Sequence, residues 1–159
     1  MNEDSIKVRP ALRGDAEAIR DVNERAIRIS AADVYTQEQI DAWASPLSPE
    51  SAAAMIEQTL AFVAMDGDRV VGFANLVLET GVVDQLYVDP SVGGRGVARL
   101  LYDVVEHEAV SRGLRKLTTT ASLRAVPAFS RFGYQVIRRE ERPFNGESFS
   151  VVQMAKALD

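Results

Sequence analysis

Residues 86–101 of the chain read LYVDPSVGGRGVARLL. The segment begins as an apolar strand, passes through a turn rich in glycine, and continues as an amphipathic helix. Glycine lets a backbone approach a ligand closely, because no Cβ atom intervenes. The first N–H groups of a helix have no intrahelical acceptor, and the helix dipole favours an anion beside them. The segment therefore predicts a phosphate-binding turn near the middle of the chain.

Two common phosphate-binding motifs do not fit this turn. A nucleoside-triphosphate P-loop requires Lys and then Ser or Thr after its last glycine, but Val97 and Ala98 follow Gly96. A dinucleotide fingerprint requires a third small residue where Arg99 stands, and an acidic residue about 20 positions further along. Residues 114–120 contain no acidic residue. Neither class of nucleotide site is predicted.

The composition favours one globular domain over residues 1–159. Hydrophobic residues make up 47% of the chain and charged residues 26%, a balance typical of soluble proteins. The net charge of −5 argues against binding to nucleic acid or to an anionic membrane. Cysteine is absent, which excludes disulfides and thiol catalysis. Since the sequence shows neither a signal-peptide core nor a membrane span, we expect a cytoplasmic protein.

Periodicity and turn residues predict the elements of the fold. Alternating apolar residues predict strands at 6–9, 60–65, 70–78, 82–88, 117–121, 134–139 and 149–154. Helices are predicted after the N-caps Asp15, Thr36 and Ser48, after the glycine-rich turn, and from Pro127 to Phe132. Because a helix joins the fourth and fifth strands, those two strands can lie parallel as a crossover. We expect an α/β (α+β) fold with a mixed, mostly antiparallel sheet of about seven strands flanked by helices.

The order of these elements and two local motifs resemble the GNAT superfamily of N-acetyltransferases. The pyrophosphate loop of that family has the pattern Gln/Arg-x-x-Gly-x-Gly/Ala after a strand, and residues 93–98 follow it except that Gly93 occupies the Gln/Arg position. A second family signature, Ala-x-x-Phe-Tyr-x-x-x-Gly-Phe, is similar to residues 125–134, which keep the alanine, the glycine and the aromatic residue after it. The matches cover most of residues 6–158, and two further stretches resemble a bacterial branch of small members.

The resemblance implies transfer of an acetyl group from acetyl-CoA to a primary amine by direct attack in a ternary complex. The backbone of the loop would bind the diphosphate, with Arg95 or Arg99 adding charge. The pantetheine arm would pair with the strand before the loop, where a backbone N–H would polarise the thioester carbonyl. The residues assigned to the cofactor are Leu86, Tyr87, Val88, Gly93, Gly94, Arg95, Gly96, Val97, Ala98, Arg99, Ser122 and Phe129.

Asp84 is the candidate general base. The amine must lose a proton, because alkylamines are mostly protonated at neutral pH. Alternation along the strand places Asp84 on the same face as Val82, Leu86 and Val88. A carboxylate on an apolar strand has a partner or has a raised pKa that suits a base. The alternative is a structural Asp that bonds a neighbouring loop or helix terminus.

The general acid is unassigned. In many relatives a Tyr protonates the leaving thiolate, but the matching residue is Phe129, which has no proton to donate and is expected to pack beside the cofactor arm. Ser122 or a water is a substitute, although a thiolate with a pKa of about 8.5 hardly needs an acid. His107 is the only histidine, and no carboxylates have the spacing of metal ligands, so no metal site is predicted.

The acceptor is a small-molecule or peptide amine whose identity the sequence does not specify. Tyr35, Trp43 and Phe144 are candidates for the wall of its pocket, and for Tyr35 and Trp43 the alternative is packing in a local core. Two other functions stay open. One is a non-catalytic acyl-CoA-binding or sensing module, which the departures at Gly93 and Phe129 favour and which is compatible with a homodimer. The other is an acyltransferase that uses a different acyl-CoA.

Overall fold

The computed structural model describes residues 5–30, 35–44, 48–144 and 146–159. Its strands are β1 (Ile6–Pro10), β2 (Leu60–Asp66), β3 (Arg69–Val77), β4 (Val82–Val88), β5 (Lys116–Ser122), β6 (Gln135–Phe144) and β7 (Glu147–Ala157). Its helices are α1 (Ala16–Arg25), α2 (Gln37–Ala44), α3 (Pro49–Gln58), α4 (Val97–Ser111) and α5 (Val126–Arg131). A π-helical turn, Ala26–Ser30, continues α1. The predicted strands and helices are all present, with ends shifted by a few residues.

The strands form one seven-stranded sheet in the order β1-β2-β3-β4-β5-β7-β6. Neighbouring strands run antiparallel except β4 and β5, which run parallel to each other and are connected along the chain by α4. This confirms the predicted mixed sheet and crossover. The β4–β5 ladder consists of a single registered pair, Val82 with Thr118, whereas β5 pairs with β7 along its whole length. The two parallel strands therefore separate after the start of β4, and a gap opens between the halves of the sheet.

Helices cover both faces of the sheet. On one face α4 and α5 pack against a large core cluster whose fully buried members include Leu76, Leu101, Val105, Leu117 and Met154. On the other face α1 and α3 pack against a second cluster that includes Ile19, Val22, Ala52, Val63 and Phe73. Each fully buried Leu, Val or Phe side chain contributes about 2 kcal/mol by leaving water. None of the described helices combines the length and the apolar character needed to cross a bilayer.

Two of the three predicted N-caps are confirmed. The Thr36 hydroxyl accepts a hydrogen bond from the Gln39 N–H at 3.1 Å, and the Gln39 side chain accepts one from the Thr36 N–H at 2.9 Å. Ser48 accepts a hydrogen bond from the first turn of α3. Asp15 precedes α1, but its carboxylate instead accepts hydrogen bonds from the Arg9 guanidinium at 2.8 Å and from an N–H of the preceding turn. Asp15 occupies the N-cap position of α1 as predicted, but its carboxylate does not cap the helix, because a partner on β1 competes for it.

Candidate active site

Two adjoining cavities lie beside the glycine-rich turn and the gap between β4 and β5. The central cavity, of about 320 Å³, is lined by residues 83–88 and 119–122 and by Ala26, Ile27, Ala98, Arg124, Ala125, Ala128 and Phe129. The loop cavity, of about 420 Å³, is lined by Val88, Val92, Gly93, Gly94, Gly96, Val97, Ala98, Arg99, Ala128, Arg131 and Phe132. Because Val88, Ala98 and Ala128 border both cavities, a long ligand can extend from the N-terminus of α4 into the gap between the strands.

The glycine-rich turn has a backbone conformation that side chains disfavour. Gly94 has a φ of +81° and Gly96 a φ of +76°. A Cβ atom at either position would meet no atom within 4 Å, so the left-handed backbone, and not a lack of space, explains these glycines. Gly96 is the N-cap of α4. The glycine-rich turn thus leads directly into α4, and its backbone borders the loop cavity.

The start of α4 presents hydrogen-bond donors to the loop cavity. In the described part of the chain, no acceptor bonds the N–H groups of Gly94, Gly96, Val97, Ala98 and Arg99. The Arg95 N–H differs, because it donates to the Val92 carbonyl at 3.4 Å. These unpaired donors and the dipole of the 15-residue α4 favour an anion at this place. The donors that the sequence suggested are therefore available, apart from that of Arg95.

The two arginines expected to add charge to the turn both have acidic partners. The Arg95 guanidinium lies 3.3 Å from the Asp66 carboxylate, and Arg95 is not among the residues that line the loop cavity. The Arg99 guanidinium lies 3.1 Å from the Asp103 carboxylate, and it also stacks 5.5 Å above the Phe132 ring. Arg99 does line the cavity, so it is the better placed of the two.

A β-bulge lies at Asp84. Asn75 of β3 is in register with Gln85, and Leu76 is in register with Val83, so Asp84 is an extra residue opposite β3. The buried Asn75 side chain accepts a hydrogen bond from the Gln85 N–H at 2.8 Å. Bulges of this kind redirect side chains and occur often beside functional sites. Sequence reasoning missed this bulge, because its hydrogen-bond partner, Asn75, lies on the neighbouring strand.

Because of the bulge, the side chains of β4 lie on different faces of the sheet from those that simple alternation predicted. Val83, Leu86 and Val88 contact the same core cluster beneath α4, whereas alternation predicted Val82 on that face. The prediction that placed Asp84 on one face with Val82, Leu86 and Val88 by simple alternation is therefore wrong. The Asp84 side chain is exposed and borders the central cavity. No described residue donates a hydrogen bond to its carboxylate or pairs with it, which leaves the carboxylate available to a ligand.

Gln85 places a second polar group beside the central cavity. Its Oε1 atom is buried and accepts no hydrogen bond from any described residue. Buried polar atoms nearly always have a partner, so a donor on a ligand or a water is expected at this oxygen. The wall formed by Asp84 and Gln85 thus offers acceptors, which suits a ligand that carries N–H groups.

Comparison with known proteins places the chain in a family. Residues 31–158 match the family model described as the acetyltransferase (GNAT) domain. The chain belongs to the GNAT acetyltransferase family. It is 29% identical over 147 residues to the uncharacterized N-acetyltransferase YafP of Escherichia coli K12, with 92% of each chain covered.

Solved structures agree with this GNAT assignment. The crystal structure of a GCN5-related N-acetyltransferase from Rhodopseudomonas palustris, titled aminotransferase, class-II, superposes with a TM-score of 0.92 at 34% identity and covers 99% of both chains. The PaiA N-acetyltransferase from Thermoplasma acidophilum, solved in complex with coenzyme A, superposes with a TM-score of 0.79 and covers 97% of this chain and 99% of its own. At 19% identity the latter supports the fold alone.

In this GNAT chain, α5 forms one wall of the central cavity through Phe129. That side chain is 3% exposed and meets the rings of Tyr102, Phe132 and Tyr134 edge-on, with centroids 5.0 to 6.3 Å apart. Ser122 ends β5 and its hydroxyl accepts a hydrogen bond from the backbone at the start of α5, at 3.3 Å. Phe129 thus borders the cavity as an apolar surface, and Ser122 borders it with a hydroxyl that is already engaged.

A hydrogen-bonded network of side chains from α4 and β7 supports α5 on its buried side. The Tyr102 hydroxyl lies 2.8 Å from the Glu106 carboxylate and 3.1 Å from the Tyr134 hydroxyl. The Lys156 ammonium donates to Glu106 at 2.6 Å and to the Phe132 carbonyl at 2.7 Å. Burial raises the pKa of both tyrosines. Burial alone would also raise the pKa of Glu106, but the hydrogen bonds from Lys156 and Tyr102 hold it below its usual value. The side chains of Tyr102, Glu106, Tyr134 and Lys156 thus support the cavity wall without lining either cavity.

The placement of Tyr35 disfavours its predicted role in an acceptor pocket. Its side chain is 7% exposed, and its ring packs against Phe149 with centroids 5.8 Å apart. The hydroxyl donates to the Ser150 carbonyl at 3.1 Å and accepts from the Leu123 N–H at 2.9 Å. Burial accordingly raises the pKa of Tyr35. Tyr35 borders neither cavity, and it ties the segment before α2 to the ends of β5 and β7.

The structure does not describe the side chains of the other two predicted acceptor residues, Trp43 and Phe144. Trp43 falls within α2 and Phe144 ends β6, but both side chains lie outside the described part of the chain. Sequence reasoning missed several lining residues, among them Ala26 and Ile27 of the π-helical turn, Gln85 of β4 and Arg131 of α5. Arg131 could have been noticed as a basic residue inside the α5 motif. The described residues include no group of three His, Asp or Glu side chains that could hold a metal ion.

Proposed function

We propose that the protein transfers the acetyl group of acetyl-CoA to a primary amine, carried by a small molecule or a peptide, by direct attack in a ternary complex. One observation carries the proposal. The gap between β4 and β5 joins the N–H groups at the N-terminus of α4 to the carboxylate of Asp84, and among the described residues neither group has a partner. An anionic cofactor bound from the loop cavity and a cationic amine bound beside Asp84 would thus meet in the central cavity.

The cofactor side of the proposal rests on backbone groups. The diphosphate of coenzyme A would accept hydrogen bonds from the N–H groups of Gly94, Gly96 and residues 97–99. Beyond Val82, the edge of β4 that faces β5 pairs with no strand in the part of the chain that the structure describes. The amide groups of the pantetheine arm can pair with such an edge as an added strand would. The thioester would then lie beside the bulge, where a backbone N–H can stabilise a developing oxyanion.

The chemical step requires a neutral amine. Its nitrogen lone pair forms a bond to the thioester carbonyl carbon, and the tetrahedral intermediate expels the thiolate of coenzyme A as the C–S bond breaks. The proton that leaves the nitrogen passes to the Asp84 carboxylate, directly or through a water. Phe129 donates no proton, and the thiolate, with a pKa of about 8.5, leaves without one. The products are an amide and coenzyme A.

The test compares Asp84→Asn with the wild type in a thiol-release assay over a panel of amines. We expect kcat/KM for the amine to fall by about 10²- to 10⁴-fold at pH 7, because the proton acceptor is removed. The loss should shrink as pH rises and free amine becomes abundant. Asp68→Asn, in the exposed turn between β2 and β3, is the matched control and should be unchanged.

Three outcomes separate the candidate functions. Turnover with an amine that depends on Asp84 supports the proposal. Binding of coenzyme A thioesters without turnover on any amine would indicate a binding module instead. Faster turnover with succinyl-CoA or a longer acyl-CoA than with acetyl-CoA would show that the protein uses a different acyl group.

A further inference from the structure

Two buried side chains bond the backbone on either side of Asp84. On the β5 side, the Thr119 hydroxyl donates a hydrogen bond to the Val83 carbonyl at 2.8 Å. On the β3 side, the Asn75 side-chain oxygen accepts the Gln85 N–H at 2.8 Å. Thr119 is 4% exposed and Asn75 is 0% exposed. The two bonds lie where the bulge interrupts the ladder to β3 and the gap interrupts the ladder to β5.

These two bonds restrain both of the peptide units that flank Asp84. The Val83 carbonyl belongs to the unit before Asp84, and the Gln85 N–H belongs to the unit after it. Because a peptide unit is planar, a hydrogen bond to a fixed partner restrains the orientation of the whole unit. The φ and ψ angles of a residue relate its two flanking units to each other. The direction of the Asp84 Cα–Cβ bond is therefore set by side chains on two neighbouring strands.

The orientation of the Asn75 amide is determined by hydrogen bonds that extend to α3. The Thr59 hydroxyl gives its one proton to the Met55 carbonyl at 2.7 Å, so it can only accept from Asn75. The Asn75 side-chain nitrogen donates to this hydroxyl at 3.2 Å, which leaves the side-chain oxygen for the Gln85 N–H. Exchange of the two amide atoms would break both contacts. The support for the bulge thus extends to the last turn of α3.

Loss of either bond would release Asp84 from its place beside the central cavity. Without the Asn75 oxygen, the partly buried Gln85 N–H has no acceptor, which favours closing the bulge. A shift of one residue in register moves side chains to the opposite face of a sheet. Without the Thr119 hydroxyl, the peptide unit before Asp84 is free to turn on the open side of β4. A catalytic group has to stay within about 0.5 Å of its productive position.

We propose that Thr119 and Asn75 are positioning residues, which hold the Asp84 carboxylate where it can take the proton of the amine. This inference rests on the proposed function, because it gives the two residues no chemistry of their own. Thr119 borders the central cavity, but its hydroxyl proton is already donated to the Val83 carbonyl. Asn75 borders neither cavity.

The experiment is a double-mutant cycle on kcat of the full-length protein with acetyl-CoA and an amine that the wild type turns over. Thr119→Val and Asn75→Leu are each made in the wild type and in Asp84→Asn. We expect each to lower kcat of the wild type about 10- to 100-fold and to leave KM for acetyl-CoA within about twofold. In Asp84→Asn neither should lower kcat further, because both act through the carboxylate. Thr119→Ser keeps the hydroxyl and should restore most of the activity.

The pH dependence of the loss is a second readout. The loss in Thr119→Val should shrink as pH rises, as in Asp84→Asn, because free amine then needs no proton acceptor. A loss caused by general destabilisation would not follow the protonation of the amine.

Two control variants accompany these measurements. Thr118→Val makes the same chemical change one residue earlier on β5, at a side chain that borders neither cavity, and should be unchanged. Ile19→Val removes a methylene group from the core packed against α1 and should lower the unfolding temperature without lowering kcat.

The outcomes separate this inference from the proposed function. If Asp84→Asn slows amine turnover but Thr119→Val and Asn75→Leu do not, the positioning role is wrong and the proposed function stands. The same conclusion follows if the two variants lower kcat equally with and without the Asp84 carboxylate. If the wild type turns over no amine, or if Asp84→Asn turns it over equally fast, both are wrong. Should Asn75→Leu fail to fold, Thr119→Val decides through the same cycle.

Discussion

Asp89 directly follows β4, and its carboxylate is almost fully buried at the start of the glycine-rich turn. One oxygen accepts the Ser91 N–H at 3.0 Å, and the other accepts two N–H groups of the Arg25 guanidinium at 2.8 and 2.6 Å. Burial alone would raise the pKa of Asp89, but these hydrogen bonds more than offset it and the pKa lies below its usual value. Arg25 ends α1, just before the π-helical turn that borders the central cavity. A single carboxylate thus connects the glycine-rich turn to the end of α1, next to the central cavity.

Asp89→Asn should destabilise the protein by about 1 to 3 kcal/mol at pH 7, because a buried charged hydrogen bond to Arg25 is lost. The folded pKa is lowered, so the stabilisation is fully present above the unfolded pKa of about 4 and disappears as pH falls through the folded pKa. The difference between variant and wild type should therefore shrink as pH falls below about 4. Urea unfolding at a series of pH values measures this. A constant difference at every pH, or an equal effect of Asp68→Asn, would contradict the assignment.

At the scale of single elements, the glycine-rich turn is the part whose backbone matters most. Gly96 has a left-handed φ, and the space around a Cβ atom there is open. A side chain at this position would therefore disfavour the left-handed backbone conformation and would not clash with any neighbouring atom. Any adjustment of the turn would move the N–H groups at the start of α4, which are the proposed diphosphate donors.

Gly96→Ala should cost about 1 to 2 kcal/mol of stability and weaken coenzyme A binding, because alanine disfavours a positive φ. Gly14→Ala is a matched control, since Gly14 also has open space around it but no positive φ. Thermal unfolding and titration with coenzyme A measure the two effects. If both variants bind coenzyme A like the wild type, the turn conformation does not set cofactor affinity.

Local sequence signals predicted the elements well, and contacts between distant residues explain what they missed. The Thr36 cap was predictable because its partner, Gln39, lies three residues away. The bulge at Asp84 was not, because it depends on Asn75 of the neighbouring strand. Tyr35 suggested a pocket wall, yet its hydroxyl partners lie 88 and 115 residues further along the chain. The phosphate-binding turn was predictable since its glycines and helix start are contiguous.

At the scale of the whole molecule, few contacts cross the gap between the halves of the sheet. The ladder between β4 and β5 has one registered pair, to which the Thr119 hydroxyl adds a hydrogen bond to the Val83 carbonyl at 2.8 Å. Tyr35 adds a link by bonding the backbone beyond β5 and within β7. The remaining cohesion comes from α4 with the core beneath it and from a third buried cluster in which Ile27 and Tyr87 pack with Phe149 of β7. The two halves can therefore separate at the cavity without breaking a long ladder.

Tyr35→Phe should destabilise the protein by about 1 to 2 kcal/mol, because the partly buried Leu123 N–H and Ser150 carbonyl each lose a partner. The ring contact with Phe149 is kept, so Tyr35→Leu should cost more. Urea unfolding measures the stability, and titration with coenzyme A tests the role in the site. If Tyr35→Phe leaves stability unchanged but abolishes turnover of the amine, Tyr35 contacts the acceptor and its structural role is secondary.

The single registered pair between β4 and β5 also bears on how the chain assembles during synthesis. Strands β2, β3 and β4 follow one another through short turns, so they can pair as soon as they leave the ribosome. β5 can join only after α4 has been made, and until then one edge of β4 lacks a neighbour. An open apolar edge of this kind is where nascent chains associate wrongly. The edge of β4 that borders the cavity in the folded protein is thus also the surface at which the nascent chain is most exposed to wrong association.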